Sequence, residues 1–282
     1  MAPRLFVKVT RELLPQVKDK HPFLYLEHGR LEVDDSSVKW ISAENLVLAI
    51  PVATINCLML GPGTSITHEA VKVISSANCG LAWVGEDSLH FFAGGITPTA
   101  TTRNLLMQLK LAADPELALG VVRKMYSRRF PGVSLKGKTL KEMMGMEGVR
   151  VRALYREIAE KYGVEWNGRQ YVPGHFERGD IVNRMLTAMN TKLYAIVGSV
   201  IHAMGYSMRI GFIHSGSPLP FVYDLADLYK SEVCVDLAFS LAARSQEYSY
   251  SCVNDAFRQR VIDCDLMAKI AIDLSELMGE DS

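Results

Sequence analysis

The chain lacks several features that would settle its class at once. It has no apolar run long enough to cross a bilayer, which takes about 20 residues; the longest, Leu193 to Gly205, is interrupted by Ser199 and His202. No membrane partner is therefore expected. The start, Met1-Ala2-Pro3-Arg4-Leu5, opens no apolar stretch of secretory-leader length. The five cysteines, Cys57, Cys79, Cys234, Cys252 and Cys264, are odd in number and form no Cys-x-x-Cys pair. That argues against a disulfide framework and a thiolate zinc site, and for inert thiols in a reducing cytoplasm. Net charge is missing too, since 31 Lys and Arg balance 31 Asp and Glu. What remains is a globular composition, 49% hydrophobic and 22% charged over 282 residues. It is enough chain for one large domain or two modest ones with a sizeable core.

The zero balance hides an asymmetry. Between Arg123 and Arg156 lie ten basic residues (Arg123, Lys124, Arg128, Arg129, Lys136, Lys138, Lys141, Arg150, Arg152, Arg156), opposed only by Glu142 and Glu147, for a local charge of +8. From Asp263 onward six acidic residues face Lys269 alone. A basic block attracts polyanions, nucleic acid above all, although a solvated helix face is the commoner explanation of a charge run by itself.

Two halves differ in kind. Short β-prone runs with turn residues between them fill residues 5 to about 95: Phe23–His28 and Arg30–Val33 on either side of a hairpin-like break at Gly29, then Val38–Ile41, Leu46–Ala49, Thr54–Leu60, Leu81–Val84 and His90–Phe92. One helix, Thr67–Ala77, follows the Gly61-Pro62-Gly63 turn. Beyond Gly94-Gly95 the period becomes helical over Asn104–Met125, Leu140–Tyr162, Asp180–Met204, Val222–Leu241 and Asp255–Met278. The fold class expected is α+β: a small N-terminal β-rich domain, residues 1–95, as a β-sandwich or open sheet, followed by a larger all-α catalytic domain, residues 96–282.

Gly132 to Thr139 matches the phosphate-loop pattern G-x-x-x-x-G-K-[ST] letter for letter. That pattern has meaning only after a buried strand. Here the charged Tyr126-Ser-Arg128-Arg129-Phe-Pro131 segment precedes it, and Thr139-Leu-Lys-Glu142 reads as a capping box opening the next helix.

Three features do not suit a core. In the helix from Leu140 the apolar stripe runs Met144, Glu147, Val151, Leu154, Ile158, which puts Glu147 inward. A buried carboxylate must be paired, protonated or metal-bound; a salt bridge to Arg150 on the next turn, or to another helix, is the ordinary explanation. His214 lies in a loop kept from helix by Pro218 and Pro220. Asp224 and Asp227, three apart on the helix that follows, share a face. Helix-end charge and backbone bonds explain each one singly. Together, oxygen ligands with one imidazole suit Mg²⁺ or Mn²⁺, and such a site beside a basic block is the layout for phosphodiester chemistry.

In these segments the chain resembles the CRISPR-associated adaptation integrase, the universal spacer-acquisition nuclease. Glu147-Gly-Val-Arg150, Gly211-Phe-Ile-His214-Ser-Gly and Pro218-Leu-Pro-Phe-Val-Tyr-Asp224-Leu-Ala-Asp227 carry the likeness, which runs over nearly the whole length. The Tyr162-to-Tyr171 segment and the early Gly61-Pro-Gly-Thr look like its subtype I-E branch. The resemblance implies metal ligands at Glu147, His214 and Asp227, with Asp224 as an auxiliary acid at the rim of the site. It implies metal-dependent cleavage and joining of double-stranded and branched DNA. It also implies a homodimer, with two dimers flanking a dimer of a small ferredoxin-like partner to make a heterohexamer. Some relatives carry a proline-rich C-terminal tail that can contact this partner; this chain stops at Gly-Glu-Asp-Ser. Arg150 and Lys230 are then candidates to pair with phosphates, and Tyr171 and Tyr194 to stack on or brace displaced bases. A DNA-binding scaffold with a degenerate site, and a hydrolase of small phosphate esters, are the competing functions.

Overall fold

The structure is a computed structural model that describes residues 19–35, 37–86, 91–95, 102–170, 179–245 and 247–279. Strands β1 (Leu24–Leu26), β2 (Gly29–Asp34), β3 (Ser37–Ser42), β4 (Val47–Ile50), β5 (Cys57–Leu60), β6 (Thr64–Ile66), β7 (Gly80–Val84) and β8 (Phe91–Gly95) form the N-terminal part, with α1 (His68–Ser76) between β6 and β7. They make two four-stranded sheets, ordered β1-β5-β7-β8 and β4-β3-β2-β6. The hairpin expected at Gly29 is not formed: β1 pairs parallel with β5 in the first sheet, while β2 pairs with β3 and β6 in the second. Gly29 is instead a point of close approach, where a Cβ would run into the Trp40 ring and the Ile41 carbonyl.

The first sheet explains why the two halves hold together. All four residues of β5 are buried. Their side chains alternate, as a strand's must. Cys57 and Met59 face the core of the helical part, and Leu58 and Leu60 face a second core with Leu31, Trp40 and Ile74. A strand buried on both faces reads as a continuous apolar run, which is the pattern here. The secondary structure thus changes type near residue 95, while the apolar core runs across the change.

The helical part comprises α2 (Arg103–Ala113), α3 (Pro115–Arg129), α4 (Leu140–Tyr162), α5 (Ile181–Ala203), α6 (Pro220–Ala226), a π-helical turn over Ser231–Val235, α7 (Asp236–Arg244), α8 (Tyr250–Asp263) and α9 (Leu266–Met278). Helix α5 is buried nearly all round, as befits the central helix of a core. No helix among the described residues is long and apolar enough to cross a membrane. All five cysteines are free, and burial pushes the Cys79 and Cys234 thiols up to about 12, which makes them inert.

Three helices expected as continuous are broken. Asp114 ends α2 and caps α3 by accepting from the Glu116 and Leu117 amides, with Pro115 in the first turn. The 222–241 run is interrupted between α6 and the π-helical turn. The 255–278 run stops at Cys264, and Asp265 takes a left-handed φ of 49° before α9. Helix α4 has the expected bounds: Thr139 and Glu142 form the capping box, and Gly163 ends it in the left-handed conformation. Because helix α3 and not a strand precedes Gly132, the phosphate-loop pattern is incidental. The stripe on α4 is displaced at its start, since Met143 is buried and Met144 is 45% exposed.

One polar side chain fixes the segment that leads from α5 toward His214. Gln108, fully buried on α2, donates to the carbonyls of Ser207 (2.9 Å) and Ile210 (2.7 Å) and accepts from the Ser207 amide (2.7 Å). Asn104 donates to Met204 O at 2.9 Å. Replacing Gln108 by Ala leaves buried backbone groups unpaired, and we expect about 2–4 kcal/mol of lost stability in urea unfolding.

Candidate metal centre

Asp224 organises the site from beneath. It sits on α6 with 1% exposure. Its Oδ2 accepts from the amides of Phe212 (2.6 Å) and Ile213 (3.0 Å); its Oδ1 accepts from the His214 amide (2.9 Å) and meets His214 Nδ1 at 2.7 Å. Four donors on one carboxylate compensate its removal from water. Gly211 allows the segment to come this near, because a Cβ there would press on Pro220 and Asp224. With Nδ1 donating to Asp224, Nε2 is the free ring nitrogen, the orientation a carboxylate imposes on a metal-ligating histidine. The expected rim position of Asp224 is therefore corrected: it lies behind the imidazole, with both oxygens engaged.

Nε2 points toward Asp227 at the end of α6, 3.7 Å from Oδ2. The other Asp227 oxygen pairs with Lys230 Nζ at 2.6 Å. Glu147 faces the same space from α4. Its Oε2 accepts from the Tyr126 hydroxyl at 2.6 Å, and its Oε1 lies 2.5 Å from Arg129 Nη1. The same Nη1 is 3.6 Å from Asp227 Oδ2. The two carboxylates thus address one cationic nitrogen and lie no further apart than the sum of those distances. Only 17% of the Glu147 side chain and 10% of the Asp227 and Arg129 side chains are exposed.

The sequence-derived candidates divide accordingly. Glu147, His214, Asp227 and Asp224 are brought together. Lys230 is engaged by Asp227 and lies 4.8 Å over the Tyr194 ring, so it is paired within the site. Tyr194 packs edge-on against Tyr223 (5.1 Å) and braces Lys230. Arg150 does not bridge to Glu147; it is exposed and lies 4.8 Å over the Phe130 ring. Tyr171 lies outside the described residues. Sequence reasoning missed Tyr126 and Arg129, the residues that hold Glu147. Their one signal was a spacing of three on a helix, and Arg128 beside them carries the same charge. Arg128 turns instead to Asp273 (2.9 Å) and Glu276 on α9.

The charges shift one another in consistent directions. The hydrogen bond that His214 donates to Asp224 raises the imidazole above the ordinary histidine value, against partial burial and with help from Asp227. Burial, then the Glu147 contact, pushes the Tyr126 phenol well up, so it stays a donor. Burial works to lower Lys230, but Asp227 and Tyr194 together hold its ammonium above the usual lysine range.

Among the described residues no three His, Cys, Asp or Glu side chains are already gathered tightly enough to hold a metal. The donor set nonetheless fits a hard divalent cation: two carboxylates and one oriented imidazole, with a positive nitrogen standing between the carboxylates. The space that would take a metal charge already holds a charge of that sign.

The match to known proteins is broad. The family model described as "CRISPR associated protein Cas1" covers residues 133–256. The chain is 58% identical to CRISPR-associated endonuclease Cas1 2 of Chlorobaculum tepidum (strain ATCC 49652 / DSM 12025 / NBRC 103806 / TLS) over 98% of this chain and 94% of the relative. It is 40% identical to CRISPR-associated endonuclease Cas1 of Escherichia coli (strain K12), over 81% and 75% respectively. A solved TtCas1–DNA complex superposes with a TM-score of 0.81 at 39% identity, covering 91% of each chain.

The raised His214 value has a sign. The folded chain holds the imidazole proton more tightly than the unfolded chain does. This contribution to stability is full below about pH 6.5 and is lost as pH rises through the higher folded value. We expect His214→Gln to flatten the pH dependence of the metal-free melting temperature across that window. Asp224→Asn should return the His214 ring toward its ordinary value in an NMR titration and cost about 2–4 kcal/mol, because an amide cannot accept all four bonds.

Proposed function

The chain belongs to the CRISPR-associated endonuclease Cas1 family, and from that premise we propose that it is a metal-dependent DNA endonuclease and integrase that inserts foreign DNA fragments as new spacers into a CRISPR array. The observation that carries this is the facing pair Glu147 and Asp227 around one cationic nitrogen, with His214 Nε2 turned to the same space by Asp224.

Glu147, His214 and Asp227 would hold Mg²⁺ or Mn²⁺, which when bound supplies Lewis-acid stabilisation of a phosphodiester transition state and a more acidic nucleophile. The chain's own side chains supply position. Asp224 fixes the imidazole, Tyr126 fixes one oxygen of Glu147, and Lys230 fixes one oxygen of Asp227. In joining, a DNA 3′-oxygen forms the new bond to the target phosphorus as the bond to the leaving strand's 3′-oxygen breaks. In cleavage, water is the nucleophile. Outside the cleft, Lys141, Arg150, Arg152 and Arg156 are exposed along α4, placed to meet backbone phosphates without reading sequence.

The assembly belongs to the same proposal: a cytoplasmic homodimer joined through the N-terminal β-rich region, with two dimers flanking a dimer of the small ferredoxin-like partner. Leu46, Val47 and Leu48, exposed beside and along the edge strand β4, support an interface there. The subtype I-E placement rests on the Tyr162-to-Tyr171 and Gly61-Pro-Gly-Thr segments.

Splayed duplex DNA with Mn²⁺ or Mg²⁺, with and without the small partner, tests the reading. We expect Asp227→Asn and Glu147→Gln to lower both cleavage and joining by at least about 100-fold while the duplex is still bound, and chelator to do the same. A protein that binds branched DNA equally with chelator and never cuts it is a scaffold, and an Asp227→Ala protein that still integrates overturns the ligand assignment.

A further inference from the structure

We propose that Arg129 is a built-in competitor for the divalent ion: its guanidinium occupies the Glu147–Asp227 cradle in the metal-free protein and leaves for a DNA phosphate when the ion is held. This inference rests on the metal-site reading above.

The geometry carries it in three steps. First, Arg129 Nη1 lies 2.5 Å from Glu147 Oε1 and 3.6 Å from Asp227 Oδ2. A divalent ion on the same oxygens would sit about 2.1 Å from each, in direct repulsion with the guanidinium. At 10% exposure of the Arg129 and Asp227 side chains, water screens that repulsion poorly, so guanidinium and ion exclude each other. Second, the nitrogen of Arg129 that enters the cradle is held there by charge and not by an aligned hydrogen bond. That nitrogen, Nη1, is buried without an aligned hydrogen-bond acceptor, and the other neighbours of Arg129 are the Tyr126 and Phe130 rings, 5.9 and 5.6 Å away. Arg128 beside it, by contrast, is fixed by Asp273 and Glu276. Third, exposed basic charge lies close by. The Phe130 ring also carries Arg150, which is exposed on α4. Both guanidinium groups lie beside one ring, so a phosphate paired with Arg150 would stand near Arg129.

The consequence is a linkage. A phosphate that takes Arg129 frees the cradle, so DNA tightens metal binding, and metal tightens DNA binding by the same factor. Without DNA, the guanidinium compensates the two buried carboxylates and keeps metal affinity low.

The test is Mn²⁺ binding to the full chain, read by electron paramagnetic resonance, with and without splayed duplex. We expect Arg129→Met to bind Mn²⁺ at least ten-fold more tightly than wild type in the absence of DNA, about 1.4 kcal/mol, and to lose the tightening that DNA gives wild type. An Arg129→Met protein with a native circular-dichroism spectrum and unchanged or weaker Mn²⁺ affinity overturns the proposal. Should that variant not fold, the wild-type Arg129 Nε–Hε resonance, assigned with Arg129→Lys, decides: a shift on saturation with Mg²⁺ supports displacement, and an unmoved signal refutes it. Asp227→Asn separates the two levels. If Asp227→Asn abolishes Mn²⁺ binding but Arg129→Met leaves it unchanged, the competitor falls and the metal site stands. If Mn²⁺ binds Asp227→Asn as it binds wild type, both fall.

Discussion

Three carboxylates withdrawn from water in one small region have to be compensated, and that requirement shapes everything around them. Asp224 draws in the backbone of residues 212–214. Glu147 draws in α3 through Tyr126 and Arg129. Asp227 draws in Arg129 and Lys230. Each compensation ties a different element to the site, which is thus the joint at which α3, α4, α6 and the His214 loop meet. Glu147 and Asp227 are compensated by side chains, whereas Asp224 is compensated chiefly by backbone amides. Asp224 is therefore scaffold.

That joint needs a stiff support, which comes from packing. The alternation of Cys57 and Met59 against Leu58 and Leu60 fastens the first sheet to two cores at once. Helix α5, buried on nearly every side, passes between the sheet and helices α6 and α7. Gln108 then ties the chain leaving α5 to α2, so the loop bearing His214 starts from a fixed point.

Charge is arranged on the same plan at longer range. The acidic C-terminal stretch is partly folded back on the basic block: Arg128 pairs with Asp273 and Glu276, and Lys124 donates to Glu276 O at 3.1 Å. Arg128 and Lys124 of α3 are thereby engaged within the protein, and Lys141, Arg150, Arg152 and Arg156 of α4 stay outward. A balanced overall charge with basic residues exposed along one helix gives a local attraction for a polyanion without a general affinity for it.

The sequence by itself determined whatever depends on neighbours a few residues apart. Helix α4 with its Thr139 cap and Gly163 stop, the inward Glu147, the dismissal of the 132–139 pattern, and the nearness of His214, Asp224 and Asp227 were all legible, because periodicity, capping and loop chemistry are local. The tertiary structure alone decided which of several equivalent partners each group takes. Residues 24–33 read as a hairpin because strand propensity does not say which sheet a strand joins. The runs over 104–125, 222–241 and 255–278 read as single helices because apolar periodicity continues across a break that Asp114, the end of α6 or Asp265 imposes. Arg128 and Arg129 are indistinguishable in the chain, yet one goes to α9 and the other to the carboxylate cradle. A rotation of about 100° per helical residue separates them, and only the way the helices cross gives that rotation a meaning.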